Sequence, residues 1–236
     1  MSRASGKWLL AASAIEDFKL DELRALLKEH PSLALEKDHE NGDTLLQWAI
    51  MQKNIEAAKA LLPMGCVNQG DDDGDTPMMR ACLLAQPEMQ EIFVEELLRW
   101  EPDLMAQNNR GRTALSYAIL EGNLATVRMV IAAREAAKDS APVDGFSPLD
   151  VDEFGQNLAH FAAASHGDGY DCLDFILALP GGKAMASAKD HEGHTPETLL
   201  ALLNKPNRSA YWRAKREQEE LLKNTPAGIQ GAPLRM

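Results

Sequence analysis

Apolar residues recur along this chain at the three-and-four spacing of an amphipathic helix, in short stretches separated by polar turns that contain glycine. One stretch places Ile55, Ala58, Leu61 and Leu62 on a single helical face, which makes a narrow stripe suited to burial. The arrangement returns in three later stretches: Ile92, Val94, Leu97 and Leu98; Val127, Val130 and Ile131; and Leu173, Ile176 and Leu177. The pattern predicts a series of short, packed helices.

Five turns share one local pattern, in which a Gly is followed, after one variable residue, by a Thr or Asn that opens a helical stretch. The turns contain Gly42, Gly74, Gly111, Gly155 and Gly193, which lie 32, 37, 44 and 38 residues apart. The fifth copy keeps only the Gly, Thr and Pro. An Asp or Asn stands three residues before four of these glycines, at Asp71, Asn108, Asp152 and Asp190. The chain is therefore built from internal repeats.

Each part of the pattern has a physical role. Gly permits the positive φ angle that a tight turn needs. The Thr hydroxyl can cap the following helix, and a Pro after it suits the first helical turn. The small Ala that stands five residues after the Thr in the first three copies, as in Ala49 or Ala81, lets two helices approach closely.

These segments, such as Gly74-Asp75-Thr76-Pro77-Met78-Met79-Arg80-Ala81, resemble the ankyrin repeat, which has a period of about 33 residues and a Thr-Pro-Leu-His-x-Ala signature. The resemblance covers roughly residues 8 to 223. It implies an all-α fold, namely an ankyrin-repeat α-solenoid with short β-hairpin loops and about six repeats including degenerate caps.

The repeat boundaries divide the chain into an N-terminal capping repeat at 1–37, four repeats at 38–70, 71–107, 108–151 and 152–189, and a C-terminal capping repeat at 190–223. We expect a disordered tail at 224–236. The 71–107 repeat is expected to have a lengthened second helix. The 108–151 repeat carries about eleven extra residues, placed within 135–150, which we interpret as a neutral loop or, alternatively, a partner-contacting one.

The composition favours helices and bears on the cellular compartment. The chain of 236 residues has 34 Ala and 32 Leu but only 6 Val and 8 Ile, which favours helix formers over strand formers. No apolar run reaches the roughly 18 residues that span a bilayer, and the start lacks a secretory signal. Three cysteines without CxxC spacing indicate reduced thiols, so we expect a cytoplasmic protein.

Charge points away from nucleic acid and membranes. The formal net charge of −12 opposes nonspecific binding to nucleic acid or to anionic lipid. Residues 71–103 hold ten Asp or Glu against two Arg, a net −8, so the acidity is concentrated in one repeat. We expect a monomer whose partner is a protein with a basic or mixed surface and an apolar anchor.

Catalytic and metal chemistry find little support. His160, His166 and Asp168 could suggest a metal site, but the resemblance puts His160 at the signature position, where the ring bonds neighbouring loop backbone. Asp71 to Asp75 resembles a calcium loop only superficially and is expected to form an exposed acidic turn. Phosphate-cradling motifs are absent from the sequence. We therefore expect no enzyme activity, no cofactor and no metal.

Aromatic residues occupy one repeated position, at Trp48, Tyr117 and Phe161, where the resemblance favours core packing over a ladder of binding aromatics. Arg80 takes the equivalent place in the third repeat. Since it departs from the apolar pattern, Arg80 is expected to be exposed or paired with the surrounding carboxylates.

The resemblance implies that partners meet the hairpin tips and exposed first-helix positions, which line a concave groove. The matching positions are Glu40, Asn41, Asp43, Met51 and Gln52; Asp72, Asp73, Asp75, Leu83 and Leu84; Asn109, Arg110, Arg112, Leu120 and Glu121; Glu153, Phe154, Gln156 and Ser165; and His191, Glu192 and His194. Four of these, Leu83, Leu84, Leu120 and Phe154, would form an apolar strip, unless the enlarged repeats bury them.

Three function classes follow from this pattern. The first is a non-catalytic protein–protein interaction module. The second is also a binder, acting as an inhibitor or neutralising partner of a basic enzyme or toxin, or as a secreted effector. The third is a metal-dependent enzyme that would use His160, His166 and Asp168. The sequence favours the first.

Overall fold

The computed structural model describes residues 6–137, 151–165 and 170–203. Within these ranges it contains helices and turns but no sheet, and an isolated antiparallel bridge joins Lys37 to Thr44. The helices are α1 (Gly6–Glu16), α2 (Leu20–Glu29), α3 (Leu45–Met51), α4 (Ile55–Leu61), α5 (Pro77–Cys82), α6 (Pro87–Leu98), α7 (Ala114–Glu121), α8 (Leu124–Ala136), α9 (Leu158–Ala164), α10 (Tyr170–Ala178), α11 (Gly182–Ser187) and α12 (Pro196–Leu202). Short 3-10 segments, Pro31–Leu35 and Leu62–Met64, follow α2 and α4.

The helices pack as pairs in two layers. The first helices α1, α3, α5, α7 and α9 each contact the next in order, and α12 packs against α9. The second helices α2, α4, α6, α8 and α10 form the other layer in the same way. Each repeat thus touches its neighbours, which is the contact pattern of a solenoid. This arrangement confirms the predicted all-α solenoid of paired helices.

Small residues let the layers approach. Ala49, Ala81, Ala118 and Ala162, each five residues after a capping position, are at most 1% exposed. Around them the core consists largely of Leu, Ile and Met side chains, together with Phe93 on α6. The Ala and Leu excess of the sequence is therefore accounted for by close helix–helix packing.

The first helices begin at side-chain caps, as the sequence predicts. The hydroxyl groups of Thr44, Thr76 and Thr113 accept the backbone N–H three residues further on, and Asn157 does the same for α9. Each satisfies an N–H group that a helix leaves without an internal partner.

The irregular repeats differ in their second helices. α6 has 12 residues and α4 has 7, and α8 has 13, so that Glu135 and Ala136 belong to a helix rather than to the loop expected there. The remainder of the expected insertion, from residue 138, lies outside the described residues, as do the end of the C-terminal capping repeat and the 224–236 tail. The sequence pattern does not predict α11, which begins at Gly182 directly after a second glycine, Gly181. In the described part of the chain, no helix combines the length and apolarity that crossing a bilayer requires.

Candidate functional site

The turns between repeats form hairpin tips, each running from an Asp or Asn to the Gly of the repeat pattern. In the tips that start at Asp71, Asn108, Asp152 and Asp190, the first side chain accepts backbone N–H groups from the residues two and four positions later. Asp38 closes the first tip in a similar way, accepting four successive N–H groups. The recurring Asp or Asn is thus an internal fastener of the tip.

A backbone ladder connects the tips. In each of its hydrogen bonds a backbone N–H of one tip donates to a backbone carbonyl of the tip before it. The pairs, donor first, are Asp72 and Asn41 at 3.0 Å, Asn109 and Asp73 at 2.9 Å, Glu153 and Arg110 at 2.8 Å, and His191 and Phe154 at 2.9 Å. One hydrogen bond of this kind joins each tip to the next. The ladder therefore holds five tips in one row, and the two side chains that follow the fastening Asp or Asn of each tip are exposed.

Glycine is needed where one tip packs against the next. Gly155 has a φ of +77°, and a Cβ added there would lie 2.9 Å from the backbone nitrogen of His191. The other four repeat glycines also have positive φ values, as the sequence predicts. Both the turn and the ladder thus depend on the absence of a side chain.

The structure places the residues predicted to contact a partner in three groups. The exposed ones are Glu40, Asn41, Asp72, Asp73, Asn109, Arg110, Glu153, Phe154, His191 and Glu192. The half-buried ones are Met51, Gln52, Leu83, Leu84, Arg112, Leu120, Glu121, Gln156 and His194. The buried ones are Asp43, Asp75 and Ser165.

The three buried residues depart from the expected exposure. The Ser165 hydroxyl donates to the carbonyl of Ala162 at 3.0 Å. Asp75 Oδ1 accepts from Asn108 at 2.6 Å and from the Tyr117 hydroxyl at 3.2 Å, which ties two repeats together. Asp43 lies beneath the first two tips. Asp75 and Ser165 therefore offer no exposed surface to a partner, and Asp43 keeps only 2% of its surface accessible.

The Asp71–Asp75 turn is not uniformly exposed, contrary to expectation. Asp72 and Asp73 face solvent, whereas Asp71 and Asp75 are buried. Asp71 Oδ1 fastens the turn, and its Oδ2 accepts two hydrogen bonds from Arg80, at 3.0 and 2.6 Å. Spacing alone does not reveal this division, but the repeated Asp or Asn three residues before Gly was its signal.

Arg80 pairs with carboxylates, which is one of the two outcomes expected from its place in the pattern. Its guanidinium, 23% exposed, lies 2.6 Å from Asp71, 3.5 Å from Asp43 and 3.9 Å from Asp75, measured between the closest charged atoms. One cation therefore faces three carboxylates. Arg80 was not predicted as a contact residue, although an Arg at an otherwise apolar position among acidic residues was the available signal.

An open recess of about 520 Å³ lies beside Arg80, and we call it the Arg80 recess. Its lining residues come from two tips and from α3 and α5: Asn41, Asp43, Trp48, Met51, Gln52, Asp73 and Arg80. Five of these seven were predicted contact residues. Its size falls within the roughly 300–1,000 Å³ of typical ligand sites.

Burial dominates the electrostatics of the recess floor. Removal from water raises the pKa of Asp43, an effect that the Arg80 guanidinium and the Asn41 side chain oppose and that Asp38 and Asp71 reinforce. A carboxylate at this position is held against its preference for water.

The predicted apolar strip is only partly exposed. Leu83 and Leu84 pack against the core, and Leu120 is half-buried, whereas Phe154 is 50% exposed at its tip. The Arg112 side chain is held by contacts within the fold: it donates to Asp152 at 3.2 Å, and its guanidinium lies 5.2 Å from the centre of the Phe161 ring. Phe154 is therefore the principal apolar group presented by these positions.

The repeated aromatic position belongs mostly to the core. Tyr117 and Phe161 are buried, as the resemblance implies. Trp48 is half-buried, with its ring centre 6.1 Å from that of Trp8 in an edge contact, and it also lines the Arg80 recess. Trp48 is thus a wall of the recess that was not predicted as a contact residue.

His160 has the structural role that the resemblance implies. Its Nδ1 accepts the Asn157 N–H at 3.2 Å, which leaves Nε2 to donate to the His194 carbonyl of the next tip at 3.1 Å. Burial lowers the pKa of His160 and favours this neutral form. His166 and Asp168, the other members of the suggested metal site, lie outside the described residues. Among those described, no group of three His, Cys, Asp or Glu is placed to hold a metal.

Two of the three cysteine thiols, those of Cys66 and Cys82, are poor nucleophiles. Burial raises the pKa of Cys66 to about 11 and that of Cys82 to about 12, so both remain protonated near neutral pH. Both side chains are buried in the helical core.

Comparison with known proteins agrees with this architecture. Residues 9–97 match the family model described as ankyrin repeats in three copies. The chain is also similar to the probable E3 ubiquitin-protein ligase XBOS32 of Oryza sativa subsp. japonica, with 31% identity over 218 residues that cover 84% of this chain and 42% of the relative. The chain thus spans less than half the length of that relative. Ankyrin repeats generally bind proteins, and the matched repeats, the helix pairs and the row of hairpin tips together show that this chain contains ankyrin repeats.

Proposed function

We propose that the chain is a non-catalytic protein–protein interaction module that binds its partner through the hairpin tips and the exposed parts of the first helices. We call this surface the contact face. It comprises Glu40, Asn41, Met51, Gln52, Asp72, Asp73, Leu83, Leu84, Asn109, Arg110, Arg112, Leu120, Glu121, Glu153, Phe154, Gln156, His191, Glu192 and His194. The backbone ladder carries this proposal, because it aligns tips from five repeats while leaving their second and third side chains outward.

The chemistry of the tips favours a partner with a basic or mixed surface. Their exposed charged groups are Glu40, Asp72, Asp73, Arg110, Glu153 and Glu192, five acidic residues against one basic. Exposed Phe154 offers a place for an apolar anchor. Charge complementarity of this kind steers association and selects partners.

A binding role without catalysis is consistent with the state of the reactive groups. The two thiols with raised pKa values are buried, and His160 uses both ring nitrogens within the fold. We propose that what this chain shares with the rice ligase is the binding role of its repeats.

The test is capture of partners from native lysate, followed by mass spectrometry. The tip variant Asp72→Lys/Asp73→Lys reverses two exposed carboxylates on the contact face. The control, Glu88→Lys/Glu95→Lys, makes the same charge change on exposed positions of α6 in the same repeat. We expect the tip variant to lose the partner and the control to keep it. Equal capture by both variants would contradict the assigned face.

A second candidate is an inhibitor or neutralising partner of a basic enzyme or toxin, or a secreted effector, and the net charge of −12 favours it. The same capture separates this role from a scaffold role. If the captured partner is a basic enzyme, its activity should fall on addition of the wild-type chain and recover with the tip variant.

A further inference from the structure

The base of the Arg80 recess contains more negative than positive charge. Three carboxylates lie within 4 Å of the single Arg80 guanidinium, and Asp43 and Arg80 both line the recess. A buried cluster of this composition is costly unless further cations or hydrogen-bond donors compensate it. The compensation is unequal among the three.

Two of the carboxylates are well supplied with donors. Asp71 accepts from two backbone N–H groups and twice from Arg80. Asp75 accepts from Asn108 and Tyr117. Both therefore have internal partners that account for their burial.

Asp43 is the exception. Its side chain is 2% exposed, yet its Oδ1 accepts no hydrogen bond from any described residue, and its ion-pair contact with Arg80 is long, at 3.5 Å. Buried polar atoms are normally paired, so an acceptor of this kind at the lining of a recess indicates a donor supplied from outside.

The walls of the recess add two further features. Trp48 and Met51 provide an aromatic ring and an apolar flank, and Asp73, exposed at the second tip, adds a carboxylate at the rim. Cations are attracted to the faces of indole rings, and the stems of long basic side chains cover apolar surface. The combination suits a cation carried on an aliphatic chain.

We propose that the Arg80 recess binds the guanidinium of an arginine side chain from the protein partner, with its charge on Asp43 and Asp73 and its stem against Trp48 and Met51. This inference rests on the proposed function and specifies one anchor of the contact face. Arginine fits better than lysine because its planar fork donates several hydrogen bonds at once and stacks on aromatic rings.

The test is an NMR titration of the free chain with N-acetyl-L-arginine methylamide, observed at the indole N–H of Trp48. Assignment uses the Trp48→Phe variant. We expect a saturable shift of this signal. The citrulline analogue, which keeps the shape but lacks the charge, should leave the signal unchanged. An equal shift by the citrulline or lysine analogue would overturn the guanidinium assignment.

Two variants locate the binding. Asp43→Asn keeps the size of the side chain but removes its charge, and it should weaken binding of the arginine analogue at least about tenfold. Asp73→Asn, at an exposed position that tolerates change, should weaken it less. Asp72→Asn is the matched control, because Asp72 is 69% exposed on the same tip and does not line the recess. Unchanged binding by Asp43→Asn, with the fold checked by its amide spectrum, would overturn the proposal.

The outcome is separable from that of the proposed function, because the titration needs no partner. Loss of partner capture by the tip variant together with full capture by Asp43→Asn would leave the contact face in place and remove the arginine anchor. Selective binding of the arginine analogue without any captured partner would support the arginine site and count against the proposed contact face.

Discussion

Asp43 is a side chain that opposes folding and also lines the proposed binding recess. Burial is the main reason that its pKa is raised, and Arg80 only partly offsets it. A carboxylate whose pKa is higher in the folded chain than in the unfolded chain destabilises the fold when it is ionised. This penalty is present above the folded pKa and disappears as the pH falls and the group becomes protonated in both states.

The first prediction follows from that sign. Asp43→Asn should increase the free energy of unfolding at pH 7, and its advantage over wild type should narrow as the pH is lowered through the raised pKa of Asp43. Urea denaturation at pH 7 and at acidic pH measures this difference. A variant less stable than wild type at pH 7 would show that the Arg80 pair outweighs the cost of burial.

The roles of individual residues were partly accessible from the sequence. The capping of α3, α5 and α7 by Thr follows from local chemistry and is confirmed. The burial of Asp75 was not accessible, because its partners Asn108 and Tyr117 come from the next repeat and local pattern says nothing about them. The carboxylates of one turn look equivalent in the sequence, and only the packing of neighbouring repeats shows which are buried and which are exposed.

At the scale of elements, the hairpin tips place specific requirements on the sequence. Each tip is fastened by its own Asp or Asn and joined to the next by a backbone hydrogen bond. At Gly42 and Gly155 a Cβ would lie less than 3.0 Å from the backbone of the next tip, so the ladder there makes a demand on the sequence beyond that of the turn itself.

Gly155 and Gly193 separate these two demands. Both have positive φ, at +77° and +84°, but a Cβ at Gly155 would lie 2.7 Å from an atom of the His191 ring, whereas no described atom lies within 4 Å at Gly193. Gly193→Ala should destabilise by the backbone strain alone, about 1–2 kcal/mol, and Gly155→Ala by distinctly more. Chemical denaturation of the two variants compares them, and equal losses would show that contact with the next tip adds nothing.

The helices themselves were predicted well where their stripes and caps are regular. α11 was missed because glycines usually end helices, whereas here Gly181 adopts a left-handed conformation just before the helix and Gly182 is buried in its first turn. The helical residues Glu135 and Ala136 were assigned to a loop because length differences between repeats do not say which element grows.

At the scale of the whole molecule, the structure shows where the acidic residues of the 71–103 segment lie. Of the ten Asp and Glu in residues 71–103, Asp71 and Asp75 are internal and Asp72 and Asp73 lie on a tip. The other six lie on α6 or just after it, in the layer of second helices. Local charge density in the sequence therefore overstates the share of the contact face.

The same spread of carboxylates provides a probe for the central claim, that the partner meets the row of tips. Carbodiimide labelling marks exposed Asp and Glu, and mass spectrometry reads each site with and without the captured partner. Protection is expected at the exposed tip residues Glu40, Asp72, Asp73, Glu153 and Glu192, and unchanged labelling at Glu56, Glu88 and Glu95 on the second helices. Protection of the second-helix carboxylates with unaltered labelling of the tips would contradict the account.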